Sequence, residues 1–138
     1  MEVFLIKISI RSEKKDVIEF LEKLHLIITD TNFDIDNNLT LINKKKPAEK
    51  EMFSTPYTLL DLDFDTSDII ERIKELTLQE YWETLFDKDD DNPPLLFVFG
   101  KDINCKTVYI KLKIKDAKKM VLCLSFHYAE YIMNCPYR

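Results

Sequence analysis

The chain has 138 residues, enough for one domain, and its 46% apolar and 12% aromatic content can supply a hydrophobic core. It contains a single glycine, Gly100, which excludes the phosphate-binding loops, dinucleotide fingerprints and nucleophile elbows that need several glycines. The net charge of −5 is unevenly distributed: residues 61–92 have three Lys/Arg against twelve Asp/Glu, whereas residues 101–138 have eight against three. The charge of the whole chain argues against nucleic-acid binding, and a local basic surface, if the protein has one, is expected in the C-terminal third.

The cysteines and histidines indicate the chemical class and the compartment. Three cysteines and two histidines lie too far apart in the sequence for a metal-binding motif, so we expect neither a metal ion nor another cofactor. An odd number of cysteines is typical of a reducing compartment. No stretch approaches the ~20 apolar residues of a membrane span. We therefore expect a cytoplasmic protein that makes no membrane contact.

The first half of the chain predicts strands around one amphipathic helix. β-Branched residues predict a strand over residues 2–10, and short strands are expected at 26–28 and 39–42, with a turn at 34–38. Two prolines and a run of lysines predict an exposed loop over residues 43–58. The helix begins at Ser12, and its apolar stripe recurs at spacings of three and four residues: Val17, Ile18, Leu21 and Leu24.

The second half predicts two helices and a β-meander. A helix begins at Asp65, and Thr77 to Glu80 matches a capping box that would start a short helix through Leu85. The acidic, proline-containing run 87–94 would end that helix. Three antiparallel strands follow at 95–99, 107–115 and 120–126. The predicted class is α+β: a single domain over residues 1–138, with an antiparallel sheet packed against two or three helices.

The last two strands place chemically useful residues together. Side chains alternate across a strand, so Val108, Ile110, Leu112 and Ile114 share one face of the second strand. On the third strand the same alternation separates Val121, Cys123, Ser125 and His127 from Leu122, Leu124 and Phe126. If the more apolar sets are buried, the open face of the sheet presents Tyr109, Lys111, Lys113, Ser125 and His127.

This set has the chemistry for cleaving RNA without a metal. A base must take the proton of the 2′-hydroxyl, a cation must stabilise the charged phosphorane, and an acid must protonate the leaving oxygen. His127 could act as base or acid, Lys111 and Lys113 could supply positive charge, and Tyr109 could donate a hydrogen bond or stack on a base. The alternative is that the lysines only solubilise the outer face of a strand.

The residues from Asp68 to Arg138, about half of the chain, resemble the MqsR (motility quorum-sensing regulator) family of toxins from type II toxin–antitoxin pairs. The motifs that support the resemblance are Asp68-Ile-Ile, Leu76-Thr with Tyr81, Phe97-Val-Phe-Gly-Lys101, Val108-Tyr-Ile-Lys-Leu112 and Leu124-Ser-Phe-His-Tyr128, followed by Met133 and Pro136-Tyr137. The resemblance implies a RelE-like ribonuclease fold for residues 61–138. The pattern of residues 1–60, which contribute little to the match, suggests an N-terminal βα extension of the sheet.

The resemblance also implies an activity, namely metal-independent cleavage of mRNA in the cytoplasm, restrained by a cognate antitoxin. In that family the tyrosine matched by Tyr109 belongs to the active site, and His127 stands where a catalytic lysine is found. Glu83 and Phe97 occupy positions where the family has a lysine and a glutamine.

We therefore assign candidate roles and keep an alternative. The candidate catalytic residues are His127, Tyr109 and Lys111, and the candidate RNA-binding residues are Lys113, Lys101, Ser125, Tyr128 and Arg138. The expected partners are an mRNA substrate and an antitoxin protein. The alternative, supported by Glu83 and the net negative charge, is a non-catalytic protein- or RNA-binding module of the same fold.

Overall fold

Six β-strands form one sheet in the computed structural model, which describes residues 9–86 and 95–138. The strands are β1 (Ser9–Ile10), β2 (Leu39–Leu41), β3 (Tyr81–Leu85), β4 (Leu96–Ile103), β5 (Lys106–Lys115) and β6 (Met120–Tyr128). Their order is β1-β3-β4-β5-β6-β2. The predicted meander is confirmed as β4, β5 and β6, but the sheet is mixed rather than antiparallel, because β2 runs parallel to β6.

The helices pack against one face of this sheet, called here the helical face, and give the predicted α+β class. They are α1 (Lys14–Thr29), α2 (Ile35–Asn38), α3 (Thr55–Leu62) and α4 (Thr66–Lys74), with 3₁₀ turns at Ala48–Phe53, Leu78–Glu80 and Asp116–Lys118. None of the described helices is long and apolar enough to cross a membrane. Residues 2–8 of the first predicted strand, and the run 87–94, lie outside the described residues.

Helix α1 places its apolar side on the sheet. Val17 and Leu24 of the predicted stripe are buried, whereas Ile18 is 41% exposed. The Phe20 ring stacks on Phe97 of β4 with centroids 4.1 Å apart. The strand expected at 26–28 is wrong: Ile27 and Ile28 continue the helix because they lie three and four residues after Leu24 and bury the same side.

Helix α4 and the turn after it show where capping signals decide local structure. The Asp68 N–H donates to Asp65 Oδ1 at 3.0 Å, so the predicted N-terminus is confirmed. The Thr77 capping box also forms, but it starts a single 3₁₀ turn. Residues 81–85 form β3 rather than the predicted helix, because pairing with β4 buries Tyr81 and Leu85.

The exposed loop predicted over residues 43–58 is confirmed only in part: residues 43–47 form no helix or strand, and most residues up to 52 are exposed. Residues 48–58 contain the first 3₁₀ turn and the start of α3, where Ser54, Thr55 and Thr58 are buried. The turn expected at 34–38 is the short helix α2, capped by the Asp34 side chain. The predicted strand at 39–42 is confirmed as β2.

Helix α3 covers the edge of β6 beyond the point that β2 reaches. The Phe126 N–H donates to Thr55 Oγ1 at 3.2 Å, and the Tyr128 N–H donates to Thr58 Oγ1 at 3.0 Å. One turn further on, the Tyr128 hydroxyl donates to Asp61 Oδ2 at 2.5 Å. The helix thus supplies acceptors that a neighbouring strand would otherwise provide, and it closes an edge that could pair with another chain.

A bulge in β6 reverses the alternation predicted from the sequence. Lys111 pairs with Ser125 and Leu112 pairs with Cys123, so Leu124 is an extra residue. Cys123 and Phe126, predicted on opposite faces, are therefore both fully buried on the helical face. Leu124 packs instead in the apolar cluster of the opposite face, called here the second face.

The C-terminal tail runs from the second face to the helical face. Met133 packs on the second face, where a Cβ added to Gly100 would lie 2.9 Å from its Sδ. Tyr137 stacks on Tyr81 of the helical core with centroids 5.8 Å apart, and its hydroxyl donates to the Ser12 carbonyl oxygen at 2.5 Å. Gly100 thus lies within β4, where its lack of a side chain leaves room for Met133 of the tail.

Replacing Thr58 with valine should destabilise the protein by about 1–3 kcal/mol, because the buried Tyr128 N–H would lose its acceptor. Thr58→Ser keeps the hydroxyl and is the matched control, expected to lose less than the valine variant. Urea unfolding followed by circular dichroism measures both. A valine variant as stable as the wild type would show that this hydrogen bond does not hold α3 against β6.

Candidate active site

The structure brings the five predicted residues to the second face, but this face is not open. Tyr109 lies opposite His127, and Lys111 lies opposite Ser125. Lys113 and Ser125 are only 3% and 8% exposed. The second face has an apolar cluster of its own, formed by Leu85, Leu96, Val98 and Met133 with Trp82, Tyr109, Leu124 and Ala129 packed against it. Solvent therefore reaches the half-buried Tyr109, Lys111 and His127 rather than the whole set.

Two rings define the centre of the site. The imidazole of His127 stacks on the phenol of Tyr109 with centroids 5.0 Å apart and planes 8° apart. Trp82 meets the other side of this pair, its ring 6.1 Å from Tyr109 and nearly perpendicular. This packing fixes the orientation of the imidazole, because cross-strand aromatic neighbours restrict its rotation.

The hydrogen bond of the His127 ring determines which nitrogen is basic. Its Nδ1 lies 2.9 Å from the Tyr128 carbonyl oxygen. A carbonyl can only accept, so Nδ1 bears the proton in the neutral ring and Nε2 has the lone pair. The site thus has one oriented base nitrogen.

Burial and nearby charge tune both rings. Burial lowers the pKa of His127 below its ordinary value; the Tyr128 carbonyl and Glu130 act against this shift, while the cations of Lys46 and Lys111 add to it. Burial and the Glu83 carboxylate raise the pKa of Tyr109. At neutral pH the site therefore combines a neutral imidazole with a neutral phenol.

Lys46 is a residue of the site that sequence reasoning missed. It lies in the segment predicted as a solvated loop, in the run Lys44-Lys45-Lys46, and not in the C-terminal third where the basic surface was expected. Its ammonium is close enough to His127 to affect the ring's titration. Four residues on, Lys50 Nζ pairs with Glu130 Oε1 at 2.9 Å and ties this segment to the chain just after His127. The run of three lysines was the feature of the sequence that could have indicated a cation at this site.

Three of the predicted RNA-binding residues lie elsewhere. Lys101 is on the helical side of β4, where its Nζ pairs with Glu80 Oε2 at 3.2 Å. Tyr128 is buried on the helical face against α3. Arg138 is the last residue of the tail and lies beside Cys135. The Cys135 thiol donates to the carbonyl oxygen of Glu80, the residue that precedes β3. Arg138 is therefore placed near β3 rather than β6. These residues do not join the His127 group.

No group of three or more His, Cys, Asp or Glu side chains within residues 9–86 and 95–138 is arranged to hold a metal ion. Comparisons with protein-family models, with curated proteins and with solved structures each returned no match.

Titration of His127 by NMR should give a pKa below 6.5, the ordinary histidine value. Lys46→Met should raise this pKa, because it removes a positive charge that disfavours the imidazolium. Lys118→Met is the matched control and should leave the pKa unchanged, since Lys118 lies at the opposite end of β6. A His127 pKa at or above 6.5, or one that Lys46→Met leaves unchanged, would contradict this description of the site.

Proposed function

We propose that this protein is a metal-independent endoribonuclease that cleaves mRNA at His127, and that it acts as the toxin of a type II toxin–antitoxin pair with a RelE/MqsR-like fold. The observation that supports this best is the oriented, neutral imidazole of His127, stacked on Tyr109 and flanked by the cations of Lys46 and Lys111. A base and cations in that arrangement meet the requirements of RNA transesterification.

In the proposed reaction, His127 Nε2 takes the proton of an RNA 2′-hydroxyl. The 2′-oxygen forms a bond to the adjacent phosphorus while the bond from phosphorus to the 5′-oxygen breaks. The leaving 5′-oxygen takes a proton from the imidazolium or from water, so the products are a 2′,3′-cyclic phosphate and a 5′-hydroxyl. The lowered pKa of His127 keeps the base form populated at neutral pH.

The neighbouring residues take different roles in this proposal. Lys46 and Lys111 provide positive charge for the phosphorane, whose negative charge grows in the transition state. Tyr109 is a positioning residue, because its raised pKa makes it a poor proton shuttle while its ring holds the imidazole. We assign no RNA contact to Lys113 or Ser125, because both are buried.

The resemblance of residues 68–138 to the MqsR toxins supports the biological part of the proposal. It implies a cytoplasmic protein with mRNA as substrate and an antitoxin as partner. The basic residues of the site would attract acidic segments of such a partner, which would block access to His127.

A second candidate function is a protein- or RNA-binding module without catalysis. It is favoured by the apolar covering of the second face, which buries Lys113 and Ser125, and by Glu83, whose carboxylate lies near Tyr109. The two functions differ in whether bound RNA is cut.

Purified protein should cleave single-stranded RNA in buffer containing EDTA and leave a 2′,3′-cyclic phosphate. His127→Ala should slow cleavage roughly 10²–10⁴-fold, because the general base is lost. Lys46→Met should slow it by roughly 10²-fold through weaker charge stabilisation. Gel analysis of end-labelled RNA measures all three, with Lys118→Met as the surface-lysine control.

A substrate with a 2′-deoxynucleotide at the cut position provides a second control, since it lacks the nucleophile and should stay intact. If folded wild-type protein binds RNA but leaves it uncut, the binding module replaces the nuclease. Cleavage that is unchanged in His127→Ala would remove His127 from the mechanism.

A further inference from the structure

A groove at the C-terminal end of β6 exposes apolar surface. Four large hydrophobic side chains line it and are exposed: Met52 at 53%, Tyr57 at 38%, Tyr131 at 74% and Ile132 at 86%. It lies between the segment formed by the first 3₁₀ turn with α3 and the chain that follows β6. We call it the tyrosine groove, defined by these four residues with Tyr128 and Lys106. Exposed apolar surface of this kind commonly marks a binding site.

The groove adjoins the His127 site along the chain. Tyr131 is four residues after His127, so their Cα atoms are at most about 14 Å apart. The Lys50–Glu130 ion pair joins the 3₁₀ turn to the chain between these two residues. Lys46, whose charge acts on His127, lies six residues before Met52, which lines the groove. Ala129, which lines the groove, packs in the second-face cluster with Tyr109, whereas Tyr57 and Tyr128 lie on the helical side. An RNA strand that reaches both places therefore passes around the end of β6.

The composition of the groove fits nucleobases. Tyr57 packs edge-on against Tyr128, and Lys106 Nζ lies 4.6 Å from the centroid of the Tyr128 ring. Lys106 is well exposed, with a side-chain exposure of 60%. Tyrosine rings stack on every base, so the aromatic rings are the part of the groove that would hold RNA.

The carboxylates at the groove do not oppose this assignment. Glu130 is paired with Lys50, and Asp61 accepts from the Tyr128 hydroxyl and lies 3.9 Å from Lys106 Nζ. The charges of Lys50 and Lys106 thus balance those of Glu130 and Asp61, so the groove is close to neutral. The groove encloses about 460 Å³, within the range of pockets that hold aromatic ligands.

From this arrangement we propose that the tyrosine groove binds bases of single-stranded RNA next to the phosphate held at His127, stacking them on Tyr131 and Tyr57. The inference rests on the proposed RNA-cleaving function and deepens it, because it names the part of the substrate that the groove recognises. A second copy of the chain is the competing occupant of an apolar groove, and the test separates the two.

Binding should be measured on the full-length His127→Ala protein, which holds RNA without turning it over. Fluorescence anisotropy with a labelled single-stranded oligonucleotide gives the affinity. Tyr131→Ala and Tyr57→Ala should each weaken binding about 5- to 100-fold, the loss expected for one stacked base. Tyr131→Phe keeps the stacking ring and should bind like the parent. Leu26→Ala, an equally exposed apolar residue on α1, should also have no effect.

A second measurement links the groove to a base. An oligonucleotide with an abasic site at the nucleotide beside the cut position should bind weakly, and Tyr131→Ala should then cause no further loss. Analytical ultracentrifugation of the same variants measures self-association. If Tyr131→Ala abolishes a dimer and leaves RNA affinity unchanged, the groove binds a second copy and the inference is overturned.

The remaining outcomes separate this inference from the proposed function. If wild-type protein cleaves RNA while both tyrosine variants bind and cleave normally, the nuclease stands and the groove assignment falls. If the tyrosine variants lose RNA affinity but wild-type protein never cleaves, the groove assignment stands and the nuclease falls. If the protein does not bind RNA, both fall.

Discussion

The candidate active site depends on one extra residue in β6. Before Leu124, the odd-numbered residues Val121 and Cys123 face the helices; after it, the even-numbered residue Phe126 does. In a regular strand His127 would follow Cys123 into the helical core, on the side opposite Tyr109. The bulge interrupts the strand pairing locally. It allows residues on both sides of Leu124 to pack in the helical core, while the His127 imidazole lies on the second face.

Burial gives the site both its shape and its chemistry. The apolar cluster of the second face holds Tyr109, and the stacking of Tyr109 in turn orients His127. The same exclusion of water lowers the pKa of His127, so a base form is available at neutral pH. One of the two cations, Lys46, comes from a distant stretch of sequence, which the Lys50–Glu130 pair ties to the chain just after β6.

Sequence patterns predicted the elements that are determined by residues close together in the chain. They failed for the features that are determined by contacts between residues far apart in the chain. The meander and the helix capped by Asp65 follow from alternation and capping, and the shared face of Tyr109 and His127 was also predicted. A capping box precedes Tyr81–Leu85 and predicts a helix there. Pairing with β4 makes this segment a strand instead. The bulge leaves no sequence signal, since all residues from Val121 to Leu124 are apolar or weakly polar. Lys46 could not be placed beside His127 because nothing local indicates which loop reaches that end of the sheet.

The central claim is that His127 cleaves mRNA in the cell, and inducible expression in a bacterial host with mapping of new RNA 5′ ends tests it most directly. Wild-type protein should arrest growth and produce ends clustered at a short sequence motif, and His127→Ala at equal protein level should do neither. If folded wild-type protein accumulates without arrest or new ends, or if the His127→Ala variant gives the same ends, the claim is contradicted.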